Sequence, residues 1–557
     1  LLDILSRSPG LRRTIDDISV GKTPVLFTGA QGYAKIATVA SVVHRLNRPG
    51  VLVMSNPDEA VTAKRDLSDL LGPDKVVLFP AREVMPFETH GNQESLWMRI
   101  SALARLAFPQ NENLLVVMPA TALVRKLMPK ERFVGGCRTI RLGTPLSPDE
   151  LIRELVGLGY EREFSVEAKG QVALRGGILD VFPPSSGVPY RLEFAFDEVE
   201  SIRAFDPETQ VSAEPVEEIF LTPALDHIQH RVLGQDQGDE ADDSGTILDY
   251  IGKDGLLIVD SFERCRDAVV EFEKIGAEIA SARMVAGTMG REEAAVYFPS
   301  GHVTGILRKS HLLLSLIPRM DIAVGLGDMV ESDTTTQVGF SGRWADLATE
   351  LKDLLSQRKR VVVLAGNKDR QGLLAKWLER QEIWALALDS IVEHPQEGMV
   401  TLSLGSGENG FNCESLNLAV FTETEIYGRT VVRQKRVKKS RPTLDWRELS
   451  PGDYVVHATH GVGQFMGLKT MTVNGVTRDY LHLRYAGTDA LYVPIDQVDM
   501  VERYVGPEGR PPTLQKLGTG DWQRIKARVK SSVEDLARKL LVLEAKRKSR
   551  RGFAFSP

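Results

Sequence analysis

At 557 residues, 42% of them apolar and 26% charged, the chain has the makeup of an ordinary globular protein and the length of several domains. A formal net charge of -6 gives no general attraction to nucleic acid, so any such contact needs a local patch. Three widely spaced cysteines (Cys137, Cys265, Cys413) exclude a disulfide framework and argue against a zinc site. No apolar run reaches the roughly 18–20 residues that span a bilayer, and no signal-peptide layout opens the sequence. Together these point to a cytoplasmic location and away from membranes.

The first 130 residues alternate strand-like and helix-like runs. TPVLFTG (23–29) is followed by a helical run from Ala34 to Leu46, then GVLVMS (50–55), VVLFP (76–80) and LLVVMPA (114–120). Asn56 and Pro57 stand as N-cap and first residue of the next helix. This alternation predicts a mainly parallel sheet over 1–138. Residues 139–224 are strand-rich and punctuated by Gly and Pro, as in GQVALRGGILDVFPP (170–184) and YRLEFAFDEVESIRAFDP (190–207), and predict a small inserted α+β domain. Alternation returns over 225–331 with GLLIVD (255–260) and IAVGLG (322–327), after the acidic, loop-like QDQGDEADDSGT (235–246). A further α/β domain of unassigned role follows over 339–430, with RVVVLAG (360–366) and LNLAVFTE (416–423). Next comes a basic stretch, 431–448, which is either a solvated linker or a contact for polymerase or DNA. Residues 449–512 carry four or five short strands with Gly-rich turns, the pattern of a small SH3/Tudor-like β-barrel. From 513 to 557 the spacing of Ile525, Val529, Val533, Leu536, Leu540 and Leu543 predicts a basic C-terminal helix with one apolar stripe. No internal repeat is apparent.

The first strand ends in Gly29-Ala30-Gln31-Gly32-Tyr33-Ala34-Lys35. A phosphate loop reads GxxxxGK[ST], its Lys reaching the β/γ-phosphates and its hydroxyl holding magnesium. Here Tyr33 and Ala34 take those two places, and Lys35 comes two residues late, a rotation of about 200° on a helix. Asp58 and Glu59, the acids after the second strand, sit where a helix N-terminus favours negative charge and do not make a Walker-B carboxylate. The sequence therefore predicts a nucleotide-binding fold whose loop has degenerated and binds no nucleotide.

Two ordered series of motifs carry a resemblance. Arg175-Gly176-Gly177-Ile178-Leu179-Asp180-Val181-Phe182-Pro183, Arg191-Leu192-Glu193-Phe194, Phe196-Asp197-Glu198-Val199-Glu200 and Phe205-Asp206-Pro207 resemble the inserted domain of UvrB-like repair proteins. Gly452-Asp453-Tyr454-Val455-Val456-His457, His460-Gly461-Val462-Gly463, Asp479-Tyr480-Leu481, Leu491-Tyr492-Val493-Pro494 and Leu517-Gly518 look like the polymerase-interacting module of the bacterial transcription-repair coupling factors, the Mfd family. The resemblance covers essentially the whole chain. It implies an adaptor that recruits UvrA through the insert and holds the RNA polymerase β subunit through the barrel. Family members continue into an ATP- and magnesium-dependent translocase on double-stranded DNA. This chain stops at Pro557, before those motifs, so neither catalysis nor a cofactor is expected within it. One departure concerns the segment after 76–80, which is short and holds only Phe87 as an aromatic before Trp97. UvrB carries a long aromatic hairpin there, so lesion verification by base stacking is not expected.

By resemblance, Arg175 and Arg191 match the UvrA-binding arginines. Arg203 lies on a nearby strand and joins them as a candidate, since a guanidinium fork suits an acidic partner. The family's aromatic position falls on Ala195 or Phe196. If both lie in the strand they face opposite sides, so either a bulge exposes Phe196 or the anchor is lost. For the polymerase, the strand GVGQFMGLKTMTV is the candidate edge, with Leu468, Lys469, Thr470, Met471 and Thr472 lending side-chain specificity and Met471 at the key position. His457 and His460 are three apart, but no third ligand is near, so no metal site is expected. Two other readings compete: a helicase-like enzyme with a nonstandard nucleotide site, and a free-standing regulator of the CarD type.

Overall fold

The structure is a computed structural model. It describes residues 1–82, 93–109, 113–207, 209–227, 244–285, 296–317, 328–390, 395–428, 450–457, 460–473, 476–487, 489–494, 501–504 and 514. The expectations for the acidic loop's 235–243, the strand 322–327, the stretch 431–448, Phe87 and the C-terminal helix fall outside these residues. The chain forms two compact units, one reaching to Val437 and a second from Lys438 onward; each is described by itself.

The first unit starts with four strands, β1 (Val25–Thr28), β2 (Gly50–Met54), β3 (Val76–Leu78) and β4 (Leu115–Pro119). The chain then leaves for the insert and comes back as β13 (Leu256–Asp260), β14 (Leu312–Ser315) and β15 (Met329–Glu331). All seven lie parallel in the order β15-β1-β14-β13-β2-β4-β3. Unbroken apolar runs such as VLF, GVLVM and LLIV suit a sheet covered on both faces, and separate hydrophobic cores lie on either side. The helix Gly32–Leu46 follows β1. The helix Pro57–Leu71 follows β2 and starts where the sequence predicts: Asn56 accepts the Glu59 N–H at 2.9 Å, with Pro57 in the first position.

The insert holds β5 (Arg138–Arg141), β6 (Glu161–Arg162), β7 (Gln171–Arg175), β8 (Ile178–Val181), β9 (Tyr190–Ala195), β10 (Glu198–Phe205), β11 (Ser212–Pro215) and β12 (Glu218–Leu221). It enters along β5 and leaves along β12, an antiparallel pair with Arg138 opposite Leu221. The other six form one sheet in the order β11-β10-β9-β8-β7-β6, whose inner face packs Val172, Leu179, Leu192 and Ile202 into a core of its own.

The second α/β sheet joins β16 (Thr334–Thr336), β17 (Arg360–Ala365), β18 (Ala385–Leu388), β19 (Val400–Leu404), β20 (Phe411–Cys413) and β21 (Leu418–Phe421). Their order is β16-β20-β21-β17-β19-β18, parallel from β21 to β18.

The described part of the second unit is an antiparallel sheet of β22 (Tyr454–His457), β23 (Gly461–Val473), β24 (Val476–Arg484), β25 (Ala490–Pro494) and β26 (Val501–Arg503), in the order β25-β24-β23-β22-β26. Val455, Phe465, Leu481, Leu483 and Val493 form its core.

Candidate functional site

Three places bear on function: the degenerate phosphate loop, the outer face of the insert and the long hairpin of the second unit.

At the phosphate loop, Gly29 and Gly32 take left-handed backbone (φ 87° and 52°), so the turn survives. What fills it comes from the second α/β domain. The loop Gly405–Gly410, between β19 and β20, lies over the N-terminus of the helix Gly32–Leu46. The Asn409 carbonyl accepts the Tyr33 N–H at 3.1 Å. A Cβ on Gly32 would stand 2.8 Å from the carbonyl oxygens of both Glu408 and Asn409. A helix N-terminus binds anions through free N–H groups and a positive dipole end; here a protein carbonyl uses that capacity. Tyr33 is fully buried against Gly407, where a Cβ would come within 2.2 Å of the ring, and its hydroxyl meets no acceptor. Burial, and then Asp66 and Asp69, push that hydroxyl well above the usual tyrosine range.

The helix Pro57–Leu71 holds the same loop. Ser406 donates its N–H and hydroxyl to Asp69 at 2.9 and 2.8 Å and its hydroxyl to Asp66 at 3.3 Å, while Arg65 donates to the Ser406 carbonyl at 2.9 Å. Burial raises Asp66 to about 6, against the pull of Arg65. Beside the loop, a cavity of about 240 Å³ lined by Gly29, Gln31, Ala34, Thr334–Thr336 and Phe411 carries no cationic side chain.

The displaced Lys35 pairs with Asp260 at 2.5 Å. Asp260 ends β13 with its side chain 3% exposed. An acid at the end of an apolar strand is the Walker-B pattern, and LLIVD was its signal. Sequence reasoning weighed Asp58 and Glu59 and passed over Asp260. Glu59 is held by Ser55 and Arg264, each at 2.7 Å; although burial pushes its carboxyl up, these bonds leave it below its ordinary value.

On the insert, Arg203, Arg191 and Asp180 are register neighbours across β10, β9 and β8, on the face away from the core. Arg191 grips Asp180 with two hydrogen bonds of 2.7 and 2.9 Å and lies 4.8 Å over the Phe205 ring. Its hydrogen bond to Asp180 holds the guanidinium above its usual range. Its side chain is only 16% exposed, so it is a brace within the sheet, whereas Arg175, which reaches Asp180 at 2.5 Å, is 41% exposed. Arg203 is exposed. Ala195 ends β9, and Phe196 belongs to the turn into β10, with φ 58° and 97% exposure. The strand alternation argument therefore does not govern Phe196. A bulky residue in left-handed backbone, fully in water, is costly and singles this tip out.

In the second unit, β23 is an edge over only part of its length. Gly461–Gln464 pair with β22, and of these Gln464 pairs with β24 as well. From Phe465 onward, among the described residues, β23 pairs with β24 alone. This leaves the stretch with Leu468–Thr472 open along one side. Leu468 is 43% exposed. Lys469 lies 5.1 Å over the Tyr492 ring, which stacks on His482 at 4.9 Å. Thr470, Met471 and Thr472 continue the strand opposite Asp479, Arg478 and Thr477; their side chains lie outside what the structure describes. His457 and His460 sit with ring centroids 4.8 Å apart, and the described residues hold no cluster of three or more metal-ligating side chains. Nor is any described helix long and apolar enough to cross a membrane.

Comparison with known proteins adds two domain matches. Residues 139–227 match the UvrB interaction domain, and residues 449–505 match the CarD-like/TRCF RID domain. The transcription-repair-coupling factor of Bacillus subtilis is 30% identical over 606 residues, covering 99% of this chain and 51% of that protein. The one from Staphylococcus aureus strain MRSA252 is 26% identical over 587 residues, covering 96% and 50%. A DEAD box protein from Methanococcus jannaschii aligns over 71% of this chain and 73% of its own at 10% identity and a TM-score of 0.24, too slight to bear on the fold. The chain spans about half the length of the relatives it matches. With both domain matches present and sequence shared along nearly its full length, the chain is similar to the transcription-repair-coupling factors over about half of their length.

Proposed function

We propose that this chain is the adaptor portion of a transcription-coupled repair factor, binding UvrA through the insert and the RNA polymerase β subunit through the second unit, without catalysis of its own. The observation that carries this reading is the presence of a UvrB interaction domain and a CarD-like/TRCF RID domain in one polypeptide. Two tethered sites raise the effective concentration of one partner near the other. On the insert, Phe196 and Arg175 make the outward contacts, Arg203 extends the basic face, and Arg191 sets their geometry through Asp180. In the second unit, read as a small SH3/Tudor-like barrel, the open stretch of β23 pairs with a strand of the polymerase through its main chain, with Lys469 and Met471 lending specificity.

The lack of catalysis is supported by Tyr33 and Ala34 at the loop, by the Asn409 carbonyl in the cradle and by the Lys35–Asp260 pair. An enzyme with a nonstandard nucleotide site would need those groups freed. ATP, magnesium and double-stranded DNA belong to the motor of the whole family member. The test is co-purification of this chain with UvrA and with polymerase. Arg175→Ala with Phe196→Ala should lose only UvrA, and Met471→Asp should lose only polymerase. Retention of both partners by both variants refutes the assignment of surfaces. Saturable ATP binding with turnover by this chain refutes the reading as a non-catalytic adaptor.

A further inference from the structure

Where the insert rejoins the first domain, the structure buries more positive charge than it balances. Asp226 follows the exit strand β12 and is fully buried. Its carboxylate takes a 2.6 Å bond from Arg99, which is itself 0% exposed, and lies 3.8 Å from Arg125. Arg82 belongs to the same cluster and feels Asp226, Arg125 and Arg99. Two guanidiniums, of Arg99 and Arg125, thus face the Asp226 carboxylate, and Arg82 lies within its electrostatic reach. His227 adds no balance, because burial lowers it below its ordinary value and favours the neutral ring. Guanidiniums stay protonated inside proteins; Arg82, lowered by burial to about 10, is still charged at neutral pH.

The hydrogen bonds are as unbalanced as the charge. Nε and Nη1 of Arg82, Nη2 of Arg99 and Nε of Arg125 are buried and meet no acceptor. Buried donors without partners are rare in folded proteins, and each calls for a physical account. Water would supply acceptors but no charge, and among the described residues the recessed positive charge exceeds the negative, which is costly. What fits both deficits is an oxyanion with several acceptor oxygens and close to two negative charges, which a phosphate monoester carries near pH 7. Access exists, since the side chains of Arg125 and His227 are 14% and 15% exposed.

We propose that Arg82, Arg99 and Arg125 form a recessed oxyanion site that takes a phosphate monoester group, either free phosphate or the terminal phosphate of a nucleic-acid strand. Asp226 orients Arg99 and sets the size of the surplus. Arg82 supplies the donors left without a partner. The site is separate from the closed cradle at Tyr33 and from the outer face of the insert, so its failure would leave the adaptor reading intact.

The test is thermal unfolding and calorimetric titration of the full chain at constant ionic strength. Inorganic phosphate is the probe in one arm, and a short oligonucleotide with or without a 5′-phosphate in the other. Saturable stabilisation is expected in at least one arm, with chloride inert. Arg82→Gln, which breaks no hydrogen bond, should weaken binding about tenfold or more, the scale of one charge-assisted contact; Arg125→Gln should do the same. A response to phosphate alone assigns free phosphate, and a response only to the 5′-phosphorylated strand assigns a terminal phosphate. No saturable response in either arm overturns the proposal. So does an unchanged response in both variants, or an Arg82→Gln protein that simply melts higher with no dependence on phosphate.

Discussion

Replacing Asp180 by Ala tests whether the arginines of the insert are a free charged surface or a braced one. Asp180 is 1% exposed and receives both prongs of the Arg191 fork, with Arg175 as a third donor. Removing one partner of a fully buried pair costs about 3–5 kcal/mol, because the remaining charge is stranded. Arg191 is not fully stranded. It keeps the Gln210 carbonyl at 3.2 Å, the Ser212 hydroxyl at 3.3 Å and the Phe205 ring, and its side chain is 16% open to water. The lower end, about 3 kcal/mol, therefore applies. Arg175→Ala removes only a half-exposed partner and should cost less than about 1 kcal/mol. A chain of several domains has no single unfolding free energy, so the measurement is amide hydrogen exchange of β8 and β9 by mass spectrometry. About 3 kcal/mol corresponds to more than a hundredfold faster exchange there, with the second α/β sheet unchanged. If Asp180→Ala and Arg175→Ala accelerate exchange equally and by less than fivefold, the brace does not exist.

The other predictions follow from the same reasoning. Tyr33→Lys with Ala34→Thr restores the Gly-Lys-Thr end of a phosphate loop, yet no saturable ATP binding should appear, because the carbonyls of Glu408 and Asn409 stay in place; calorimetry checks this. Asp66 titrates at about 6 in the folded protein against an ordinary 3.8, so the folded state binds the extra proton between those values. Its stabilising share is complete below about pH 4 and is lost as pH rises through 6, a swing of about 3 kcal/mol at ~1.4 kcal/mol per tenfold in acidity. The protection of the Ser406 amide, its exchange rate relative to that of an unstructured peptide at the same pH, should accordingly fall between about pH 4 and 7, and Asp66→Asn should remove that fall. Lys469→Glu or Met471→Asp should abolish binding to the polymerase β subunit in a pull-down while leaving circular dichroism unchanged.

What the sequence made legible was whatever is local. Each apolar run of the first sheet became a buried strand, and Asn56-Pro57 started its helix, because burial on both faces and capping are decided within a few residues. The departure of the loop from GxxxxGK[ST] was also local, resting on Tyr33 and Ala34. The groups that close it were not: Ser406 meets Asp69 across 337 residues of chain, and no periodicity encodes that contact. Asp260 was visible as the last residue of LLIVD, but its link to Lys35 depends on strand order. Arg191 was read as a surface charge because sequence gives the residue type and not the register that sets it opposite Asp180. Phe196 was left between a bulge and a lost anchor; a turn settled it, since φ 58° takes the residue out of the strand alternation altogether. The edge in the second unit was half legible, because the length of β22 decides where β23 stops being covered.

The loop from Gly29 to Lys35 is best understood as a joint. A loop with left-handed glycines ahead of a helix offers free N–H groups in a shallow hollow, and such a hollow is stable only when an acceptor fills it. In this chain the acceptor is a backbone carbonyl from Asn409, and the side chains that would have held phosphate and metal have other work. Tyr33 fills the space against Gly407, and Lys35 pairs directly with the buried Asp260. Removing Lys35 alone should therefore destabilise the sheet, whereas Lys35→Met with Asp260→Leu, which removes both charges and keeps apolar volume, should recover most of the loss. A double-mutant cycle read from amide hydrogen exchange of β1 and β13 separates the outcomes. Coupling of roughly 2 kcal/mol or more is expected for a pair with one member 3% exposed. Additive losses would mean that the two residues are independent and that the pair does not help hold the sheet together.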